Sequence, residues 1–274
     1  MRQKLLETQE KKSDDQDEKV MEARRLVQVS VHPDTGTIIP TIFRPPGLFV
    51  VGAPLVVGTL MPHRGVISAF IPQILFQSYN VGFTVMNSNL SVKTQQSLSQ
   101  NPLYLSGSAL YVACVGTLPI YFANRLNLSG PITQNFIHRI LPPPLFALLG
   151  ALNVFLVRSF EMSGGIQVMD GAGNVVGVSP EAGKKAVKET ALSRAFLCGV
   201  TALTPSLVRR SPHMLHNPGI FTIIKLLIGA LTFGIMTPIS FGLFPQQGKI
   251  NRDDLEAELK EKTSDSELFY HRGL

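Results

Sequence analysis

The chain has 274 residues and a formal net charge of +6 at pH 7, and only 16% of its residues are charged, against about 25% in an average soluble domain. Between Pro45 and Val157 the charged residues are Arg64, Lys93, Arg125 and Arg139. Charged side chains cover the wet surface of soluble proteins. This distribution therefore argues against a soluble enzyme and predicts a chain that meets the lipid bilayer.

Other classes of protein are excluded by the reactive residues. Cys114 and Cys198 both lie in apolar segments, which excludes a disulfide framework and a CxxC metal or redox motif. His213 and His216 lie between prolines with no nearby acid or cysteine, so we expect no metal site and no cofactor. The basic residues form no stripe, so we expect no nucleic-acid partner. No nucleophile–base arrangement is visible, and we expect no enzyme activity.

Composition divides the chain into five regions. These are a charged tail with an entry turn (1–46), an apolar stretch (47–157), a hydrophilic insert (158–194), a second apolar stretch (195–245) and a charged tail (246–274). The two apolar stretches hold six segments: Gly47–Met61, Val66–Met86, Leu103–Ala123, Ile140–Val157, Ala195–Val208 and Ile220–Phe244. A spanning helix needs about 20 mostly apolar residues. The third and sixth segments meet that length, while the first, fourth and fifth are somewhat short.

The second segment differs from the others because it carries amides. Gln73, Gln77 and Asn80 fall at i, i+4 and i+7, which is one face of a helix. An unpaired amide in hydrocarbon costs several kcal/mol. Either this face points into the interior of a helix bundle, or the segment lies at the membrane surface.

The hydrophilic insert has the pattern of a small soluble module. Two β-type runs, Ile166–Val168 and Val175–Val178, flank a glycine-rich turn and predict a hairpin. Ser179 and Pro180 then provide an N-cap and a first helical residue. The expected fold is an all-α multi-pass membrane protein with five or six transmembrane helices and a small hairpin–helix insert. In the charged tail, 253–262 is expected to form a short surface helix.

The distribution of basic residues bears on the number of spans. If all six segments cross the membrane, 19 Lys and Arg residues lie on one side and five on the other, a strong positive-inside bias. If the second segment lies on the membrane surface and only five segments cross, each side of the membrane holds 12 Lys and Arg residues. The charge rule therefore favours six spans.

The apolar segments contain no Asp or Glu, although proton-coupled carriers commonly use intramembrane carboxylates. A solute path would have to use amides, hydroxyls and arginines at helix ends, which suit a small neutral or zwitterionic solute better than a metal cation. We select these candidate substrate ligands: Gln73, Gln77, Ser78, Asn80, Asn87, Asn153 and Arg158. The alternative is that the amides only bond one helix to another.

Several blocks of sequence resemble one membrane-protein family. His32-Pro33-Asp34-Thr35-Gly36 matches the HPDTG signature of the sideroflexins, and the stretch 77–80 is similar to their NQSFN block. Asn153, Arg158 and Glu161 match a further block, and the insert matches G-I-x-V-x-D-x-x-G-N-x-x-G-x-S. The signature positions that we carry over are His32, Pro33, Asp34, Gly36, Asp170 and Asn174.

The resemblance implies a multi-pass protein of the mitochondrial inner membrane, usually described with five spanning helices. It implies transport of a small neutral amino acid such as serine, and a link to iron and iron–sulfur metabolism. The lipid bilayer and a small amino acid are then the expected partners.

A second function stays open. Phe160-Glu161, the stretch 269–272 and the run 39–45 look most like the fourth vertebrate paralogue, a branch associated with respiratory complex I assembly. Both tryptophans of the family's W-Q-W-x-N-Q-S block are absent from residues 72–78. The alternative is therefore a non-transporting membrane factor for complex I assembly and iron–sulfur homeostasis, with mitochondrial assembly-factor proteins as partners.

Overall fold

The structure is a computed structural model that describes residues 20–21, 26–27, 30–32, 35–63, 65–89, 101–126, 130, 133, 135–208, 218–263 and 265–274. The described α-helices are α1 (Pro45–Leu60), α2 (Val66–Met86), α3 (Pro102–Arg125), α4 (Pro142–Val157), α5 (Ser159–Gly164), α6 (Pro180–Leu207), α7 (Pro218–Gly242) and α8 (Ala257–Lys262). The strands are β1 (Ile166–Met169), β2 (Val175–Ser179), β3 (Gln247–Asn251) and β4 (Glu267–His271). A π-helical turn, Phe136–Ile140, precedes α4.

The long helices form one bundle. Helix α4 packs against α6, α2 packs against α1 and α3, and α7 packs against α1 and α6. Glycines bring α4 and α6 close together. A Cβ at Gly150 would lie 2.9 Å from the backbone oxygen of Arg194, and one at Gly199 would lie 3.1 Å from the Cβ of Ala147. Small residues at helix crossings are typical of packing within membranes.

The outer surface of the bundle is apolar. Among the described residues, two helices are long and apolar enough to cross a membrane, Pro102–Arg125 and Gly219–Gly242, and α1 and α4 are shorter apolar helices. Helix α7 presents an exposed row of Ile223, Leu227, Leu231 and Ile235. A continuous exposed apolar row of this kind requires an apolar partner, which lipid provides. The number of spans, five or six, stays a prediction.

The predicted hairpin is present, but the expectation of an all-α chain is too simple. Strands β1 and β2 pair antiparallel, with Ile166 opposite Ser179. The tail adds β3 and β4, giving a four-stranded sheet in the order β2-β1-β4-β3. Pairing of β1 with β4 places Val168 opposite Tyr270. The insert and the tail therefore form one module, because each supplies half of the same sheet.

Helix α6 joins this sheet module to the bundle. The Oγ of Ser179 accepts a hydrogen bond from the backbone N of Ala182 at 3.1 Å, which confirms the predicted N-cap. Ala182 and Ala186, near the start of α6, pack in the core of the sheet module. The helix continues without interruption to Leu207. The division drawn between residues 194 and 195 thus falls inside one helix, because composition changes there while the helical backbone does not.

The described part of the HPDTG motif forms a turn attached to α2. Val31 and Ile38 are bridged, and Gly36 has a φ of +66° while its N donates to the backbone oxygen of His32. The buried His32 Nε2 donates to the backbone oxygen of Ser88 at 2.8 Å. This motif therefore fixes the entering chain to the end of α2. Pro33 and Asp34 lie outside the described residues.

Two signature residues build the turn of the β1–β2 hairpin. The Oδ1 of Asp170 accepts hydrogen bonds from the backbone N of Ala172 at 3.0 Å and of Asn174 at 2.8 Å. Its Oδ2 accepts from the Nδ2 of Asn174 at 3.1 Å. The side-chain bond from Asn174, followed by these backbone bonds, holds the pKa of Asp170 below its usual range. Asp170 and Asn174 thus have a structural role.

We predict that Asp170→Asn accelerates amide exchange across residues 170–174, because an amide accepts these hydrogen bonds less well than a carboxylate. In the unsubstituted protein the stabilisation is complete above the pKa of an unfolded aspartate, about 3.9, and disappears as the pH falls through the lowered pKa. Hydrogen exchange measured by mass spectrometry, corrected for the intrinsic rate at each pH, checks both effects. Asp253→Asn, an exposed position in the same module, is the control. Equal exchange across residues 170–174 in both variants would contradict the structural role of Asp170 in this turn.

Candidate functional site

A cavity of about 410 Å³ opens at the end of the bundle. This volume falls within the roughly 300–1,000 Å³ of small-molecule sites. Ala202 and Pro205 of α6 line it, whereas the start of α6 packs in the sheet module, so the cavity lies at the end away from the sheet. Its polar lining includes Thr59, Gln73, Thr117, Ser206, Thr222 and Lys225. The lining residues include the cation Lys225 and no Asp or Glu, so the described wall suits a solute that carries a carboxylate, such as a zwitterion, better than a metal cation.

Gln73 offers an unused hydrogen-bond donor at this cavity. The residue is 5% exposed, and its Nε2 has no partner among the described residues. A Cβ at Gly116 would lie 2.6 Å from this nitrogen, so the glycine of α3 leaves the room that the amide occupies. A buried donor without an acceptor costs free energy. It is therefore a candidate contact for a solute oxygen.

Buried polar side chains continue from Gln73 into the bundle. The Nδ2 of Asn153 donates to the Oε1 of Gln77 at 3.1 Å, which joins α4 to α2. The Oγ1 of Thr84 makes a long contact of 3.5 Å with the Oδ1 of Asn153. We call Gln73, Gln77, Asn153 and Thr84 the amide column. It gives the interior a set of neutral donors and acceptors without a carboxylate.

A buried ion pair lies at the sheet end of the bundle. The Nε and Nη2 of Arg158 donate to the two carboxylate oxygens of Glu161, each at 2.7 Å. The Nη1 of Arg158 donates to the Oγ1 of Thr190 at 2.9 Å. The Nδ2 of Asn89 donates to the Oε2 of Glu161 at 3.1 Å. A bidentate pair with these further bonds has the geometry that a buried ion pair needs.

The tail of the chain completes this ion-pair site. The Nη2 of Arg158 also donates to the backbone oxygen of Arg272 at 2.7 Å, and the N of Leu274 donates to the backbone oxygen of Asn87 at 3.0 Å. Gly273 has a φ of +73°, and a Cβ there would lie 2.9 Å from that same oxygen of Asn87. We call Arg158, Glu161, Asn89, Thr190 and Arg272 the clasp. Burial lowers the pKa of Arg272; the negative charge of Glu189 opposes this shift, and the positive charge of Arg158 adds to it.

Comparison with known proteins identifies the family. The model of the family Sideroflexins matches residues 2–274. The chain is 42% identical to Sideroflexin-4 of Danio rerio, over 94% of this chain and 83% of the relative. It is 36% identical to Sideroflexin-4 of Homo sapiens, over 94% of this chain and 76% of that relative. It is 32% identical to Sideroflexin-5 of Caenorhabditis elegans, over 94% of this chain and 79% of that relative. No solved structure matches the chain.

The chain belongs to the sideroflexin family. Sideroflexins are membrane proteins, which agrees with the apolar surface of the bundle. The family consists generally of mitochondrial transporters and is associated with transport rather than catalysis.

The seven predicted ligands of this sideroflexin divide into separate groups. Gln73 lines the cavity, and Gln77 is bonded to Asn153 in the amide column. Arg158 lies in the clasp with every side-chain nitrogen bonded. The Nδ2 of Asn87 donates to the backbone oxygens of Phe43 and Phe83, and it thereby ties the turn before α1 to the end of α2. Their part in substrate binding stays a prediction.

Two other predicted ligands lie away from the cavity. Ser78 is exposed on the outer side of α2. Asn80 is half-buried, and its Nδ2 donates to the backbone oxygen of Phe76 at 3.0 Å, four residues earlier in the same helix. The periodicity of α2 placed Gln73, Gln77 and Asn80 on one face, but it could not show that one amide bonds its own helix.

Sequence reasoning missed two polar residues of the site. Thr117 lines the cavity, yet it is one of several hydroxyl residues within the apolar third segment, and no local pattern distinguishes it from the others. Arg272 is buried in the clasp, but it lies in a tail that has the composition of a solvated segment. The HPDTG motif, residues 32–36, gives no information about Thr117 or Arg272.

We predict that Glu161→Gln lowers the free energy of unfolding by about 3–5 kcal/mol, because it leaves the Arg158 guanidinium buried without its counterion. The control is Glu267→Gln, which removes the exposed 2.9 Å pair with Lys249 and should cost less than about 1 kcal/mol. Thermal unfolding in detergent, followed by circular dichroism, measures both. Equal changes in the two variants would show that burial does not set the strength of this ion pair.

Proposed function

We propose that this sideroflexin carries a small neutral amino acid, serine or a close analogue, across the mitochondrial inner membrane. The observation that carries the proposal is the cavity, which Gln73 lines, together with the Nε2 of that residue, which is buried and has no partner among the described residues. A zwitterion bears an ammonium, a carboxylate and, in serine, a hydroxyl. The neutral amides of the cavity and amide column match such a solute without requiring a proton relay.

The arrangement of open and closed ends supports a carrier over a channel. The cavity is open at one end of the bundle, while the clasp joins α2, α6, the start of α5 and the end of β4 at the other. Carriers hold a central site that is accessible from one side at a time. In this proposal the clasp is the closed end, and it must open for solute to leave toward the sheet.

A second candidate function rests on the sheet module. Strand β2 is an edge strand of the sheet, and it exposes Val175 and Val178. An edge strand with exposed apolar side chains is a ready site for strand addition by another protein. This surface favours the alternative of a membrane factor that supports assembly of respiratory complex I, with an assembly-factor protein as its partner.

We predict that Gln73→Leu lowers serine uptake into proteoliposomes while leaving the melting temperature unchanged or higher. The substitution removes an unpartnered buried amide and keeps its volume, so the fold loses no hydrogen bond. Loss of one hydrogen bond to solute of about 1 kcal/mol corresponds to a roughly five-fold fall in kcat/KM. Ser78→Ala, on the same helix but outside the bundle, should leave uptake unchanged. Saturable uptake that is equal in both variants would contradict the proposed site.

Complementation distinguishes the two candidate functions. Cells that lack the protein receive either Gln73→Leu or the double variant Val175→Lys/Val178→Lys, and both mitochondrial serine uptake and assembled complex I on native gels are measured. The carrier proposal predicts that the double variant restores serine uptake in full, whereas Gln73→Leu restores only a fraction of it. Restoration of complex I by Gln73→Leu, together with failure of the double variant, would favour the assembly factor.

A further inference from the structure

Arg194 is a buried cation that has no counterion among the described residues. It lies on α6 and is 5% exposed, and its Nη1 and Nη2 have no hydrogen-bond partner among the described residues. The guanidinium carbon lies 4.8 Å from the ring centroid of Phe83 and 4.9 Å from that of Phe241. These aromatic rings contribute cation–π attraction, but they accept no N–H hydrogen bond of ordinary strength.

The charge balance of the interior leaves Arg194 unpaired. The buried side chains that carry a permanent charge among the described residues are Arg158, Arg194, Arg272 and Glu161. Both oxygens of Glu161 are held by Arg158. Arg194 interacts electrostatically with the thiol of Cys198 and the phenol of Tyr79, and the like charges of Arg272 and Arg158 repel it. An uncompensated buried charge is strongly destabilising. The interior therefore has an excess of positive charge that an anion would relieve.

Two further buried polar groups have no hydrogen-bond partner among the described residues. Ser240 is fully buried, and its Oγ has no partner among the described residues; it directly precedes Phe241. The Nη2 of Arg272 donates to the backbone oxygen of Phe241 at 3.1 Å, while its Nε is unpartnered within the described chain. One donor near the end of α7 and one after β4 are thus buried without an acceptor among the described residues. A group rich in oxygen would satisfy them.

Positions along α6 place Arg194 between the clasp and the cavity. Thr190 belongs to the clasp and precedes Arg194 by one turn, or about 6 Å at a rise of about 1.5 Å per residue. Ala202 lines the cavity and follows Arg194 by about 12 Å on the same basis. A solute that passes from the cavity toward the clasp therefore passes the level of Arg194.

We propose that Arg194 binds the α-carboxylate of the transported amino acid at an intermediate position beyond the cavity. This inference rests on the proposed carrier function and names the group of the solute that is recognised. Phe83 and Phe241 cover the guanidinium, and its two unpartnered Nη atoms form the fork that matches the two oxygens of a carboxylate. The amides of the column are left to accept hydrogen bonds from the ammonium and hydroxyl groups.

Binding of radiolabelled serine to the purified full chain, with competitors that each lack one group, tests the proposal. We expect 3-hydroxypropionate, which keeps the carboxylate, to compete for binding, and ethanolamine, which lacks it, to compete at least about ten-fold less well, as charge-assisted hydrogen bonds require. Ethanolamine competing as well as 3-hydroxypropionate would overturn the proposal. Chloride added at the same concentration as the competitors should not displace serine; displacement by chloride would assign the site to an inorganic anion and overturn the proposal as well.

Substitutions at Arg194 test whether this residue causes the selectivity for a carboxylate. Arg194→Gln should weaken serine binding by about ten-fold or more without lowering the melting temperature, since it removes an uncompensated charge, whereas a purely structural arginine would lower that temperature when replaced. Arg194→Lys, which keeps the charge but not the fork, should bind serine with intermediate affinity. Arg125→Gln, at the exposed end of α3, is the matched control and should bind serine normally.

Absence of serine binding by the unsubstituted protein would contradict the carrier function itself. Equal binding by the unsubstituted protein and both Arg194 variants would overturn this inference alone.

Discussion

The buried pair of Arg158 and Glu161 is the interaction on which the rest of the structure depends. Two charges taken out of water are tolerated only when their remaining hydrogen-bonding groups are satisfied, and here the partners come from separate parts of the chain: Asn89 after α2, Thr190 in α6 and the backbone of Arg272 after β4. Removal of any one partner leaves a buried polar group unpaired. The pair therefore holds the sheet module and the bundle in one arrangement.

Helix α6 orders the interior along a single axis. Its first turns pack in the sheet module, Thr190 contributes to the clasp, Arg194 follows, and Ala202 reaches the cavity. A carrier needs a site that is reached from one side while the other side is closed. Helix α6 contacts both the clasp and the cavity, so in the proposed carrier a tilt of α6 would loosen the clasp as it reshapes the cavity.

Local chemistry could be predicted from the sequence, and distant pairing could not. The Asp170 turn and the Ser179 cap follow from residues within a few positions of each other. The period of α2 put Gln73 and Gln77 on one helix face, but only the structure shows that both are buried in the bundle. Strand β4 lies in a charged tail and pairs with β1 about one hundred residues earlier, where no local pattern identifies the partner. The sequence shows that residue 194 is an arginine, but only the packed structure shows that this buried arginine has no counterion among the described residues.

The side from which the cavity is accessible is the most direct test of this account. A single cysteine at Ser206, in the cavity wall, would be introduced after replacement of Cys114 and Cys198 by alanine, and its reaction with a membrane-impermeant maleimide would be measured in oriented proteoliposomes. The account predicts labelling from one face only and protection by serine, with no serine protection for a cysteine at the exposed Ser78. Equal labelling from both faces, or labelling that serine leaves unchanged, would contradict a one-sided solute site.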